Sequence, residues 1–235
     1  METRETFTQW NVQGMSSSKK DLINIVDIYK PVVIAVRETF YGGDFVAGIW
    51  GYNAICKQGH FNHRFHGWVA MRNNDTMPIC EIFINTHLQV DAPRVNISEY
   101  KTVTCVSAHV HGRVDFGNDL KMIMQGLPKP IIFMGDLKPH HTNWVNKNIN
   151  RRGLQLQDIC ASLKLNIMNG DIPTHVSGTS IDMTIVSADL PPAITWMVGP
   201  SVLSNDHFPV VVLFNMMPQT AADCCEEGWN YKEGK

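Results

Sequence analysis

Residues 131–144 read Ile-Ile-Phe-Met-Gly-Asp-Leu-Lys-Pro-His-His-Thr-Asn-Trp, and their first half constrains the fold more than any other stretch of the chain. Four consecutive apolar residues running into Gly135-Asp136 predict a buried strand that delivers a carboxylate to the end of a sheet. A carboxylate in such a place is costly unless a metal ion, a partner or a substrate meets it. The fold must therefore bury a sheet and gather polar groups at one end of it.

Other segments repeat the pattern. Thr6–Asn11 predicts a first strand ending on a polar residue. Ser16–Tyr29 predicts an amphipathic helix begun by a serine cap and closed before Pro31. Val32–Val36 predicts a buried strand with Glu38 just past its end. Trp68–Met71, Cys80–Ile84, His87–Val95 and Lys101–Ser107 read as successive strands, and Phe116–Gly126 as a short helix closed by Gly126 and Pro128. A helix over Arg151–Leu163, strands at Leu165–Met168 and Ser180–Val186, and a final strand at Pro209–Phe214 complete the series. Strands that alternate with helices in places and follow one another in others imply an α/β sandwich. Its two mixed β-sheets pack face to face, flanked by helices, giving four layers. Residues 1–216 are read as one domain and 217–235 as a polar tail or the start of a linker.

Composition narrows the function classes. Hydrophobic residues are 44% and charged residues 18% of 235, which suits a folded core and excludes a disordered chain. The formal net charge of −2 provides no global basic field. A nucleic-acid partner would need a local basic surface or metal ions to offset phosphate repulsion. No apolar run approaches the ~20 residues that span a bilayer. Six cysteines lack Cys-x-x-Cys spacing and read as reduced intracellular thiols. The ten histidines include His60, His63 and His66 at intervals of three, but none forms a zinc-type His/Glu or Cys/His spacing, so zinc is not expected.

The chemistry lies in a set of residues rather than in any one of them. Asn11, Glu38, Asp136, Asp182, Asp206 and His207 each fall at the edge of a predicted strand or within one. Carboxylates that converge at one end of a sandwich repel one another unless a cation neutralises them. Oxygen donors with few nitrogen or sulfur donors favour Mg²⁺ or Mn²⁺.

Seven segments, in order, carry a resemblance. They are Thr8-Gln-Trp-Asn11-Val-Gln-Gly14, Lys30-Pro-Val-Val-Ile-Ala-Val-Arg-Glu38-Thr39, Gly67-Trp-Val-Ala70, Gly135-Asp136-Leu-Lys138-Pro-His-His141-Thr-Asn-Trp144, Pro173-Thr-His175, Thr179-Ser-Ile-Asp182-Met-Thr184 and Asp206-His207-Phe-Pro209. With them the chain resembles the endonuclease/exonuclease/phosphatase superfamily, of DNase I-like fold, and most closely the apurinic-type endonuclease domain of non-LTR retrotransposons.

The resemblance implies roles. Glu38, helped by Asn11 and with Asp206 nearby, would hold Mg²⁺ or Mn²⁺. Asp136 would orient or deprotonate the attacking water, and His207, its tautomer fixed by Asp182, would contact the phosphate. Lys138, His141 and Thr142 would face DNA. The implied reaction is hydrolytic nicking of one strand of double-stranded DNA by a monomer with an intracellular, nuclear location, next to a reverse transcriptase domain in the parent reading frame. Two departures stand out. Lys138 occupies the place of a family asparagine, and Ala108-His-Val-His111 replaces the segment whose tyrosine contacts phosphate. They keep two other readings open: an inactive remnant that binds DNA or a partner, and a phosphodiesterase for small molecules or lipid headgroups.

Overall fold

The structure, a computed structural model, describes residues 3–40, 49–55, 67–72, 80–86, 88–98, 101–110, 117–200 and 205–216. His60, His63, His66 and the 217–235 tail lie outside the described residues.

Among the described residues the first sheet has six strands: β1 (Thr3–Asn11), β2 (Val33–Arg37), β3 (Tyr52–Ile55), β4 (Trp68–Arg72), β12 (Ile194–Val198) and β13 (Val210–Met216), in the order β12-β13-β1-β2-β4-β3. The second sheet holds β5 (Cys80–Glu81), β6 (Gln89–Asp91), β7 (Pro93–Ser98), β8 (Lys101–His109), β9 (Ile131–Asp136), β10 (Leu165–Ile167) and β11 (Asp182–Ser187). Its order is β10-β11-β9-β8-β7-β5, with β6 pairing with β8 beside β7. Both sheets are mixed: β1–β2 and β8–β9 are parallel pairs among antiparallel ones.

The period-two alternation of strands builds the layers. On β9, Ile132 and Met134 face the other sheet, meeting Phe7, Val33, Ala35, Val210 and Val212. Ile131 and Phe133 point the opposite way, under the helices α2 (Gly117–Gly126) and α3 (Arg151–Leu163), where Leu120, Met124, Leu156 and Ile159 cover them. On β2, Val33 and Ala35 enter the core between sheets, while Ile34 and Val36 meet Leu22, Ile25 and Val26 of α1 (Met15–Tyr29). The result is the expected order of helix, sheet, sheet, helices. Burying each large aliphatic side chain in these layers contributes about 1.5–3 kcal/mol before entropy is counted.

Local differences from the sequence-based reading have physical causes. Helix α1 starts at Met15 behind Gly14, at φ 108, and no side chain caps it. Ser18 instead donates to the Val12 carbonyl at 2.7 Å, tying the helix to the end of β1. The single strand expected through Val95 is divided into β6 and β7, both of which pair with β8. Pro93, which has no N–H to give a ladder, stands at the break. The strand expected over Cys80–Ile84 contracts to Cys80–Glu81. β3 is an edge strand and only half covered, so its sequence lacks clean alternation. Among the described residues no helix is long and apolar enough to cross a membrane.

Candidate active site

Strand register gathers the site before any side-chain contact is considered. In the first sheet, Asn11 at the end of β1 shares a rung with Arg37 at the end of β2. In the second, His109 pairs with Asp136 across β8 and β9, and Asp136 pairs with Asp182 across β9 and β11. Three titratable residues thus sit on adjacent strands at one level. Glu38 follows β2 at φ 52 and Lys138 follows β9 at φ 54, both in the left-handed region that ordinary side chains avoid. Such conformations survive where surrounding contacts impose them, commonly at functional sites.

Polar contacts sew the two sheets together below this level. Gln9 Nε2 donates to Thr184 Oγ1 at 2.9 Å and to the Met183 carbonyl at 3.1 Å. Arg37, fully buried, donates to Gln9 Oε1 at 2.7 Å and lies 3.5 Å from Asp182 Oδ1. Asn11 Nδ2 donates to Asp136 Oδ2 at 3.0 Å. A buried guanidinium of this kind is tolerated because carboxylate and amide oxygens surround it.

On one side of the site, Glu38 Oε1 lies 3.2 Å from His109 Nε2, and His109 Nε2 lies 3.7 Å from Asp136 Oδ2. Burial pushes the Glu38 carboxyl up, but the hydrogen bond and charge of His109, then Asn11 and Lys138, outweigh it and hold the group at about 2. For Asp136, burial and then the neighbouring Asp182 raise the pKa, while Lys138, His109 and His207 pull the other way. Lys138 Nζ is 3.6 Å from Asp136 Oδ2.

These residues fit a divalent cation. One donor atom each from Glu38, His109 and Asp136 lies within 4.8 Å of the others. Asp136 Oδ1 is buried and lacks a hydrogen-bond partner among the described residues, a state that a cation or its hydration water would relieve.

On the other side, His207 Nδ1 is 2.8 Å from Asp182 Oδ2. Asp182 is buried; Thr174 Oγ1 donates to the same Oδ2 at 3.0 Å, and Arg37 stands beside Oδ1. Burial raises the Asp182 pKa, yet His207, Arg37 and Thr174 together bring it below its ordinary value. Burial lowers the His207 pKa, but the carboxylates of Asp182, Asp136 and Asp206 lift it to about 9. The backbone around the ring is fixed by Trp10 Nε1 donating to the His207 carbonyl at 2.9 Å and by the His207 N–H donating to Asn205 Oδ1 at 2.8 Å.

The structure therefore brings together Asn11, Glu38, Asp136, Asp182 and His207. Asp206 lies at the His207 end, 3.4 Å from His175 Nε2 and 3.8 Å from His207 Nε2, and its donors group with those two histidines. Of the residues expected to face DNA, Lys138 reaches into the acidic group and Thr142 is exposed on the following loop. His141 is buried against Trp144, with ring centroids 5.1 Å apart, and its Nδ1 accepts the Asn143 N–H.

Two members escaped sequence reasoning. At the tyrosine replacement, Ala108 points into the helix-side core with Val106, while His109 points into the site. Alternation along β8 carried that information, since Val103 and Cys105 share the inter-sheet face with position 109. Arg37 directly follows five apolar residues, a position where a cation signals a buried partner.

Residues 97–211 match the family model described as Endonuclease-reverse transcriptase. No curated protein matches the chain. Among solved structures, the endonuclease domain of TRAS1, a telomere-specific non-LTR retrotransposon, is similar with a TM-score of 0.78 at 22% identity, covering 90% of this chain and 98% of that one. The AP endonuclease LMAP of Leishmania major gives 0.74 at 13% identity over 91% and 88%. The Xenopus laevis APE2 catalytic domain gives 0.68 at 16% over 92% and 94%. The chain therefore has the DNase I-like fold of these endonuclease structures, and its residues 97–211 are similar to the endonuclease-reverse transcriptase family.

Proposed function

We propose that the chain is a divalent-cation-dependent endonuclease that nicks one strand of double-stranded DNA by phosphodiester hydrolysis. The observation that carries this reading is the two-sided site: Glu38, His109 and Asp136 face a hydrogen-bonded Asp182–His207 pair across one end of the sandwich.

Glu38, with Asn11 alongside, would hold Mg²⁺ or Mn²⁺, which when bound polarises the phosphate and neutralises charge on the leaving oxygen. The chain's own groups divide the remaining work. Asp136, raised by burial and by Asp182, is the carboxylate best able to accept a proton from water. Asn11 orients it through Oδ2 and leaves Oδ1 open to the cation or to a water that the cation carries. His207, lifted to about 9, is an imidazolium near neutral pH and presents Nε2–H to a phosphoryl oxygen. Asp182 fixes the ring through Nδ1. A reverse transcriptase partner and a nuclear location belong to the same proposal, because a nick leaves a 3′-hydroxyl that a polymerase can extend.

Relaxation of supercoiled plasmid with Mg²⁺ or Mn²⁺ tests the reading. Nicking is expected, and Asp136→Asn and His207→Ala should each abolish it. Nicking that survives both substitutions would sink the assignment. One observation favours a second reading, an inactive DNA-binding remnant: the Lys138 ammonium lies 3.6 Å from Asp136 Oδ2 and competes with a cation for that oxygen. Retained, salt-sensitive DNA binding without cleavage would select it.

A further inference from the structure

The expectation of Mg²⁺ or Mn²⁺ rests on oxygen donors, yet the folded site places an imidazole among them. His109 Nε2 stands 3.2 Å from Glu38 Oε1 and 3.7 Å from Asp136 Oδ2. Donors so separated can share one ion at metal–ligand distances of about 2.0–2.2 Å. Asp136 Oδ1, buried without a hydrogen-bond partner among the described residues, supplies an independent sign that the position calls for a cation. His109 itself is buried at the end of β8. Its ring is held by strand register, opposite Asp136 on β9, and not by a loose loop.

We propose that His109 is a ligand of the cation site and makes it select a first-row transition-metal ion of the Mn²⁺ class over Mg²⁺. Imidazole is a borderline donor that gains more from transition ions than from Mg²⁺, a hard cation that favours oxygen and keeps its waters. Glu38 and Asp136 still supply anionic oxygens, so the donor set is mixed: one nitrogen and two carboxylates. The inference rests on the cation site of the proposed nuclease, but not on its catalysis.

The test uses Mn²⁺ itself as the probe, because sulfur donors such as exposed Cys80 are soft and compete poorly for it. Pulsed EPR of Mn²⁺ bound to the full chain should show ¹⁴N modulation from a directly bound imidazole. That signal should persist in His207→Gln, which removes the other buried imidazole of the site, and vanish in His109→Asn and His109→Gln. Calorimetric titration should show the preference for Mn²⁺ over Mg²⁺ falling by about tenfold or more in the two His109 variants. Circular dichroism identifies a variant that has not folded, and the wild-type signal with its His207→Gln control then still decides. Absent ¹⁴N modulation in wild type, modulation that follows His207 instead, an unchanged ion preference, or no Mn²⁺ binding at millimolar concentration would each overturn the proposal. If plasmid nicking fails while the ¹⁴N signal follows His109, the ligand assignment holds and the nuclease reading falls. If nicking proceeds on Mg²⁺ with no ¹⁴N signal, the reverse is true.

Discussion

His109 Nε2 on β8 and Glu38 Oε1 just after β2 stand 3.2 Å apart, joining the two sheets at the level of the site. The contact holds Glu38 at about 2 against burial that would raise it. Removing it should be visible directly. In His109→Ala with EDTA present, carboxyl NMR should find Glu38 titrating upward, toward or beyond its ordinary 4.5. A depressed folded pKa contributes stability that is present above 4.5 and lost as pH falls through about 2, so the variant should also lose stability at neutral pH. An unmoved Glu38 would show that His109 is a bystander.

Lys138→Asn should raise nicking by about 10- to 100-fold, within the range that one polar contact in a reacting site commands. The change removes an ammonium 3.6 Å from the carboxylate assigned to the water and restores a side chain that both donates and accepts. Asparagine also tolerates φ 54 better than lysine, so stability should rise by up to about 1 kcal/mol. Equal plasmid relaxation rates in the two proteins would remove Lys138 from the explanation.

Arg37→Met should destabilise the fold by about 3–5 kcal/mol, since it strips a buried cation from Asp182 and Gln9 while leaving both buried. Arg37→Gln, which keeps a donor for the same oxygens, should cost less. Urea denaturation of the three proteins in parallel measures the order. Arg37→Met as stable as wild type would mean that the guanidinium contributes little to joining the sheets.

Stability should fall as pH rises from 6.5 to 9. His207 is lifted from 6.5 to about 9 by Asp182, Asp136 and Asp206. A raised folded pKa contributes stability that is full below the unfolded value of about 6.5 and is lost as pH climbs through about 9. The amount is on the order of 2–3 kcal/mol. Denaturation in EDTA across this window should show the decline, and His207→Gln should flatten it. A wild-type curve as flat as that of the variant would contradict the charged His207.

Much of this was legible along the chain. The Ile131–Gly135 run announced a doubly covered strand, and the structure buries every residue of β9. The helix over Arg151–Leu163 appeared at its expected bounds, with Asn150 accepting the Gly153 N–H as its cap. Asp136, Asp182 and Glu38 were recognisable because acids bordering or interrupting apolar strands need a reason to be there. β12 was harder to read, because Ile194-Thr-Trp-Met-Val198 is an edge strand with mostly partial cover and carries weak alternation.

The sequence alone determined the well-buried strands, the helices between them, and that carboxylates stand at strand ends, because these are properties of short-range periodicity and solvation. Tertiary structure decided which of those groups meet. His109 and Asp136 become neighbours through the parallel register of β8 and β9, Asp136 and Asp182 through β9 and β11, and Glu38 joins them only because the second sheet packs on the first. A one-residue change of register would turn His109 toward the helix-side core and bring Ala108 to the site. Register and sheet packing are settled by the whole core at once, so the ligand role of His109 and the bracing role of Arg37 could be read only from the folded molecule.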